Sequence, residues 1–290
     1  MSLLTPSTVR ALLADHGLRP RRALGQHFLA DPNTARRIVR LAGIGAGDHV
    51  LEIGPGLGSL TLALAEAGAD VVALEIDERL ASVLAATLAD ADADADADAG
   101  TGAVSVEVGD ALEIDLAGLL DDDHAEWHSV SNLPYNVATP VVVRLLEEVP
   151  RVAYLFVMVQ REVGERLAAP PGSPSCGAVS VKIAYFADAE VAGTVPPAVF
   201  VPRPKVESVL VRMTRRAEPP VEVPSPARLF ALVRAGFAER RKMLRRSLRP
   251  ALGDGVADVL TAAGVDPSTR AEALSLSEWA AVARAEAVAA

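Results

Sequence analysis

The stretch Asp48–Gly58, with the sequence DHVLEIGPGLG, decides the fold of this chain. Its first half is an apolar run typical of a buried strand, and the glycines Gly54, Gly56 and Gly58 follow at once. An apolar helix is predicted directly after them, over Ser59–Ala67. Strand, glycine loop and helix in this order are typical of the start of a nucleotide-binding βαβ unit, because glycines let the backbone approach a ligand at a helix N-terminus.

A second predicted strand, Val71–Ile76, ends in a carboxylate. Glu75 lies about 20 residues beyond the glycines, where such folds bind a ribose diol, although a plain surface acid is the competing interpretation. The spacing G-P-G-L-G differs from the G-x-G-x-x-G of dinucleotide binders and favours a ligand without a pyrophosphate. The adenosine part of S-adenosylmethionine therefore fits better than NAD, and no Gly-Lys-Ser or Gly-Lys-Thr follows that would form a P-loop.

Two further strands are predicted to end at the same edge of the sheet. Ala103–Val108 precedes Asp110, which could accept a hydrogen bond from an adenine amine or simply cap a turn. Trp127–Ser131 precedes the stretch Asn132-Leu133-Pro134-Tyr135. Because ligands of open α/β sheets bind beyond the carboxyl ends of the strands, we expect these residues to share one crevice.

The stretch Asn132–Tyr135 suits a flat heterocycle that carries an amino group. The Asn132 side-chain oxygen can accept a hydrogen bond, Leu133 precedes a proline and is biased to an extended backbone that presents its carbonyl, and Tyr135 offers a stacking face. Two acceptors would hold an exocyclic base amine in line with an electrophile. The proline-rich segment 196–204 could hold Phe200 as a second stacking face, although a buried hydrophobic anchor is the alternative.

The remaining pattern predicts an α/β domain followed by helices. Helix 139–148, strand 153–159 and helix 160–168 continue a parallel sheet, and strands at 178–187 and 206–213 are predicted as an antiparallel pair at its edge. The predicted fold is α/β: a Rossmann-like, S-adenosylmethionine-binding domain with a mostly parallel sheet over residues 1–218 and a small all-helical domain over 225–290, separated by a proline-rich linker. Residues 89–100, an Asp/Ala insertion, are predicted to be a disordered loop.

The formal charge of −10 conceals two basic regions. Ala227–Arg249 has eight Arg or Lys against one Glu, and Arg10–Arg40 has seven Arg against two Asp. Clustered cations release counterions when they bind a phosphate backbone, so both regions are candidate nucleic-acid surfaces, with a solvated basic face as the alternative. Much of the acidity lies in the Asp/Ala insertion and in Asp121–Asp123.

Other features concern the compartment. A run of about 18 apolar residues is absent, the N-terminus lacks the apolar core of a signal peptide, and Cys176 is the single cysteine. We therefore expect a cytoplasmic protein without a disulfide and without a membrane partner. We also expect no metal site, because the histidines lack the spacing of metal ligands.

Motifs along the chain resemble those of the KsgA/RsmA ribosomal RNA adenine dimethyltransferases. The resemblance is carried, in order, by LGQHFL at 24–29, LEIGPGLG at 51–58, LEID at 74–77, Gly109-Asp110, NLPY at 132–135, FVPRPKVES at 200–208 and FAERRKMLRRSL at 237–248. It implies transfer of two methyl groups from S-adenosylmethionine to N6 of each of two adjacent adenosines near the 3′ end of 16S rRNA, during small-subunit assembly.

The same resemblance implies roles for individual residues. The cofactor-binding residues are His27, Leu29, Gly54, Gly56, Glu75, Asp110 and Asn132. The catalytic set is Asn132, Leu133, Pro134, Tyr135 and Phe200, and the RNA-binding set is Arg240, Arg241, Lys242, Arg245 and Arg246. One departure concerns His27, where the family usually has Asn. By this resemblance we expect a monomer that acts on small-subunit RNA and not on DNA.

Two other functions remain open from the sequence. A sister enzyme that methylates an adenine of 23S rRNA and confers macrolide resistance has similar motifs, although the Phe200 loop resembles KsgA more. A ribosome assembly factor that occupies the immature small subunit, with methylation secondary, is the alternative from another class.

Overall fold

A computed structural model describes residues 3–21, 25–93, 100–120, 124 and 126–289 of the 290-residue chain. Several residues named in the sequence analysis lie outside these ranges. They are Arg22 of the basic region Arg10–Arg40, Leu24 of the motif at 24–29, most of the Asp/Ala insertion, and Asp121–Asp123. The helices are α1 Pro6–Asp15, α2 Pro32–Ala42, α3 Ser59–Glu66, α4 Glu78–Ala93, α5 Ala138–Glu148, α6 Arg161–Leu167, α7 Ala178–Phe186, α8 Pro226–Ala238, α9 Leu244–Ser247, α10 Arg249–Leu252, α11 Val256–Ala262 and α12 Leu276–Ala289.

The strands form one large sheet and one short pair. They are β1 Phe28–Leu29, β2 His49–Ile53, β3 Asp70–Glu75, β4 Val104–Val108, β5 Trp127–Asn132, β6 Val152–Gln160, β7 Ala187–Val195, β8 Phe200–Val201 and β9 Ser208–Arg215. The seven-stranded sheet has the order β4-β3-β2-β5-β6-β9-β7, and β1 pairs with β8. Strands β2 to β6 are parallel, and β9 pairs antiparallel with β6. This mostly parallel sheet confirms the predicted fold class.

The chain divides into two compact units, which we describe separately. The first comprises Met1–Gly164 and Glu190–Arg215, and the second comprises Glu165–Ala189 and Arg216–Ala290. The first unit contains the sheet and a core of buried apolar side chains from its strands and flanking helices. The second has its own core around Phe230 and Trp279. The sequence-based division near residue 218 differs in one respect, because 165–189 packs with the C-terminal helices.

The segment 178–187 was predicted to be a strand, and this was wrong. It forms helix α7, and the adjoining edge strand begins only at Ala187. Its β-branched residues favour a strand locally, but Val181 and Tyr185, four residues apart, are both buried in the core of the second unit. The Ser180 hydroxyl also accepts a hydrogen bond from the Gly177 N–H, 3.0 Å away, at the start of the helix. Tertiary packing therefore overrides the local preference.

Two other local predictions need correction. Helix α4 continues to Ala93, so the first residues of the predicted loop 89–100 are helical. The domain over 225–290 was predicted to be all-helical, but the basic residues 240–246 do not lie on one continuous helix, because α8 ends at Ala238 and α9 begins at Leu244. The chain turns between them because the Leu244 and Arg245 N–H groups donate to the carbonyls of Thr269 and Pro267. Among the residues that the structure describes, no helix has the length and apolar character of a bilayer span.

Candidate active site

The glycine loop after β2 forms the floor of the site. Gly54 and Gly56 have φ angles of +73° and +60°, which disfavour any side chain. A Cβ on Gly56 would lie 3.0 Å from the Phe28 ring, and one on Gly54 would lie 3.2 Å from the ring of Pro134. The backbone of the loop therefore lies close to both neighbouring segments, and only glycine permits this approach.

Glu75, at the end of β3, is held beside this loop. It is 4% exposed. One carboxylate oxygen accepts a hydrogen bond from the Gly56 N–H and the other from the Asp77 N–H, each at 3.0 Å. Burial raises the pKa of Glu75, although these backbone donors act in the opposite direction. The carboxylate is thus fixed in place, which excludes the interpretation of Glu75 as a plain surface acid.

Two adjoining cavities open at this edge of the sheet, and both are lined by Gly54, Glu75, Ile76 and Pro134. The first is also lined by residues 25–29, Glu52, the rest of the glycine loop and Asn132–Tyr135. The second, of about 260 Å³, is lined further by Asp110 and Val137. The strand ends therefore do converge on one crevice. An elongated ligand could occupy both cavities and pass Glu75 at their junction.

Asn132, at the end of β5, has a defined amide orientation. Its Nδ2 lies 3.4 Å from the backbone carbonyl of His27 and donates to it. This contact leaves Oδ1 as the acceptor for a ligand. The next residue, Leu133, is buried, and its N–H donates to the Met158 carbonyl at 3.1 Å. The amide at the mouth of the first cavity is therefore arranged as an acceptor.

Tyr135 and His27 form one wall of the first cavity. Their ring centroids are 5.3 Å apart. The Tyr135 hydroxyl and the Ser208 hydroxyl are 2.8 Å apart, and burial raises the pKa of the tyrosine. His27 Nδ1 donates to the Pro202 carbonyl at 2.7 Å, because a carbonyl oxygen can only accept. His27 thus connects Tyr135 with the proline-rich loop.

Leu29 and Phe200 lie in backbone contact between the segment that contains His27 and the proline-rich loop. They are opposite one another in the antiparallel pair β1–β8. The Leu29 carbonyl also accepts a hydrogen bond from the Ser59 hydroxyl at the start of α3. Phe200 is buried, 3% exposed, and belongs to the hydrophobic core. It therefore acts as the hydrophobic anchor that the sequence left open, and its ring would have to move to stack on a base.

Asp110 caps a turn after β4 and also lines the second cavity. It lines the second cavity, and its Oδ1 accepts a hydrogen bond from the Leu112 N–H at 2.8 Å. This turn holds the backbone after β4 in place. The turn does not use the other carboxylate oxygen of Asp110.

The predicted RNA-binding residues belong to the second unit. Arg240, Arg241, Lys242, Arg245 and Arg246 are all exposed. Arg240 donates to the Pro174 carbonyl and lies 3.9 Å from Glu272. The other four surround the turn at 239–243 and the short helix α9, so the structure gathers these cations on one short stretch of surface.

Glu52 is a site residue that the sequence reasoning missed. It is the penultimate residue of β2, is fully buried and lines the first cavity. Its Oε2 accepts a hydrogen bond from the Thr61 hydroxyl at 2.6 Å. Within the described part of the chain, its Oε1 has no hydrogen-bond partner. The signal was present in the sequence, because an acid inside the apolar run VLEI of a parallel strand needs a reason to be there.

Fold and site together define a Rossmann-like methyltransferase. Solved structures with this fold include the 23S rRNA methyltransferase ErmE, with a TM-score of 0.64, 26% identity, and coverage of 89% of this chain and 98% of that one. A dimethyladenosine transferase from Plasmodium falciparum has a TM-score of 0.68 and 22% identity, over 88% of this chain and 96% of that one.

The family model for ribosomal RNA adenine dimethylase matches residues 17–287, and the chain belongs to this family. A relative from Cutibacterium acnes is 45% identical over 98% of this chain and 94% of its own length. One from Thermobifida fusca is 47% identical over 97% and 95%. Both are named ribosomal RNA small subunit methyltransferase A.

Proposed function

We propose that this chain, acting as a monomer, dimethylates N6 of two adjacent adenosines near the 3′ end of 16S rRNA in the small ribosomal subunit, with S-adenosylmethionine as methyl donor. The observation that carries the proposal is the arrangement of Asn132, whose Nδ2 is engaged by the His27 carbonyl while Oδ1 is left to accept. Membership of the adenine dimethylase family, and relatives named as small-subunit methyltransferases, support the choice of substrate.

The residues present fit S-adenosylmethionine. The glycine loop leaves no room for a Cβ at Gly56, and Glu75 is a fixed carboxylate at the junction of the two cavities. We assign the ribose hydroxyls to Glu75, the adenine amine to Asp110, and the amino-acid end to the segment containing His27 and Leu29. When bound, the cofactor supplies an electrophilic methyl group on a sulfonium.

Asn132–Tyr135 would position the target base. The Asn132 Oδ1 and the Leu133 carbonyl accept the two hydrogens of the N6 amine, which favours the pyramidal form with an available lone pair. Tyr135 stacks on the base, which is splayed out of the RNA, and Phe200 would supply the second face if its ring is exposed. Pro134 packs against the glycine loop and sets the distance between base and cofactor. The transfer needs no covalent enzyme intermediate.

The basic residues of the second unit would bind the flanking backbone. Exposed guanidinium and ammonium groups at 240–246 attract phosphates whatever the net charge of the protein. We therefore expect RNA binding to weaken steeply as salt concentration rises. We assign to this surface affinity for the RNA rather than recognition of the target base.

Transfer of labelled methyl groups tests the proposal. Unmethylated small subunits, large subunits and naked rRNAs are incubated in parallel, and the modified positions are mapped. Dimethyladenosine at two neighbouring sites of 16S rRNA is expected. Label in 23S rRNA would assign the chain to the resistance type, and tight small-subunit binding without label would leave the assembly role.

Asn132→Ala tests the mechanism in the same assay. Loss of the acceptor should reduce turnover by about a hundredfold or more, the scale seen when one preorganised polar group is removed from an active site. Asn33→Ala, which removes an exposed amide on α2, is the matched control and should leave turnover unchanged. Near-normal methylation by a folded Asn132→Ala variant would remove Asn132 from the mechanism.

A further inference from the structure

Glu52 is a buried acid next to the glycine loop that none of the roles above uses. It is 0% exposed on a central strand of the sheet, with β3 on one side and β5 on the other. An ionised carboxylate in such a place needs a partner charge. Glu52 has one hydrogen bond, from Thr61 on α3, and its Oε1 lacks a partner among the described residues. Only one of its two carboxylate oxygens therefore has a hydrogen-bond partner among the described residues.

Its surroundings keep the proton on this carboxyl. Burial raises the pKa of Glu52 to about 8, the Thr61 hydroxyl acts in the lowering direction, and the negative charge of Glu75 on the adjacent strand raises it further. The parallel neighbours opposite the same part of β2 include Ala73 on β3 and Ser129 on β5, neither of which is titratable. Near neutral pH the group is therefore mostly an uncharged acid beside the cavity.

We propose that Glu52 is the counter-charge for the cationic methyl donor: it gives up its proton to solvent when the sulfonium cofactor binds, and it regains a proton when the neutral thioether product remains. This inference rests on the proposed function. A buried carboxylate is stabilised by a nearby cation in a water-poor site far more than it would be in water. The loss of that cation on methyl transfer removes the stabilisation, so Glu52 favours the methyl donor over the spent product.

Proton release on binding tests this directly. Calorimetric titrations with S-adenosylmethionine and with S-adenosylhomocysteine are run near pH 7 in two buffers of different ionisation enthalpy, for wild type and Glu52→Gln. Protons exchanged by the ligand's own ammonium are the same in both proteins and cancel in the difference. When S-adenosylmethionine binds, wild type should release up to about one proton more than Glu52→Gln. When S-adenosylhomocysteine binds, this excess over Glu52→Gln should be clearly smaller.

Affinity should follow the same linkage. We compare the affinity of wild type for S-adenosylmethionine with that of Glu52→Gln. The ratio of the two affinities should rise by up to about tenfold per pH unit between about pH 6 and about pH 8. The preference for sulfonium over thioether should shrink in Glu52→Gln, in which the Gln oxygen can still accept from Thr61. Equal proton release and equal pH profiles in the two proteins would overturn the proposal.

A second variant covers the case in which Glu52→Gln does not fold. Thr61→Val retains the carboxyl and removes the hydrogen bond that favours its charged form, so the pH profile of binding should move to higher pH. An unmoved profile would refute the role of Glu52. Failure of the wild type to bind either ligand would instead refute the proposed function, so the two failures are distinguishable.

Discussion

Glu52 also makes the stability of the first unit depend on pH in a direction unusual for a carboxyl. Its pKa rises from an ordinary value of 4.5 to about 8 on folding. Because the native state holds this proton more tightly than the unfolded chain, the contribution is most favourable below about pH 4.5 and is lost as pH rises through about 8. The linkage relation gives a loss on the order of 3 kcal/mol between about pH 5 and about pH 8.

The difference between wild type and Glu52→Gln isolates this effect. Urea unfolding at the two pH values gives free energies of unfolding, and hydrogen exchange of strand β2 assigns the transition to the first unit. The Gln variant should gain on wild type by about 3 kcal/mol from the lower to the higher pH. Glu66→Gln is the control that should stay flat: a hydrogen bond from Arg36 lowers the pKa of Glu66, so Glu66 is largely ionised in both the native and the unfolded protein at both pH values, and its difference from wild type should barely change. A constant difference between wild type and Glu52→Gln would refute the assignment of a buried, neutral acid.

Three other substitutions test packing and hydrogen bonds within each of the two units. Arg215→Met should lower the free energy of unfolding by about 3 kcal/mol in urea titrations. The reason is that the Arg215 guanidinium donates to four backbone carbonyls at the end of α5 and the start of β6. An unchanged free energy of unfolding would mean that water satisfies these carbonyls in the variant. Gly236→Ala places a Cβ 2.4 Å from the Trp279 ring and should cost about 1 to 3 kcal/mol, partly recovered by adding Trp279→Phe; without recovery the clash is not the cause. His27→Phe keeps a ring against Tyr135 but cannot donate to the Pro202 carbonyl. Amide hydrogen exchange of residues 199–205 should therefore accelerate. Unchanged exchange would contradict the role of His27 in holding this loop.

The parts of the site predicted from the sequence are those with local causes. The glycine loop after β2 and the residues after β5 follow from strand patterns that end in residues with special backbone or side-chain properties, so their place at one edge of the sheet could be predicted. The antiparallel contact of Leu29 with Phe200 joins distant segments, and no local pattern indicates it. Consequently the burial of Phe200 could not be decided from its motif.

Other features were beyond sequence reasoning for a related reason. Helix α7 contains residues that favour a strand, and only the hydrophobic core of the second unit makes the helix the better solution. The hydrogen bonds of Arg215 to the carbonyls at the end of α5 depend on how β9 lies beside β6. In both cases the stabilising partners come from elements far along the chain, so local preference is a poor guide.

The order of strands in the sheet has a consequence for the nascent chain. The polypeptide leaves the first unit at Gly164, contributes 165–189 to the second, and returns at Glu190. Strand β9 then lies between β6 and β7, although it is synthesised after all the other strands that the structure describes. Because domains form in the order in which the ribosome releases them, the edge strand β7 remains without its neighbour in the sheet until Arg215 has emerged. Strand β8 also emerges late and pairs with β1, whose two residues line the first cavity. An N-terminal fragment ending before β8 would therefore lack this contact beside the candidate site.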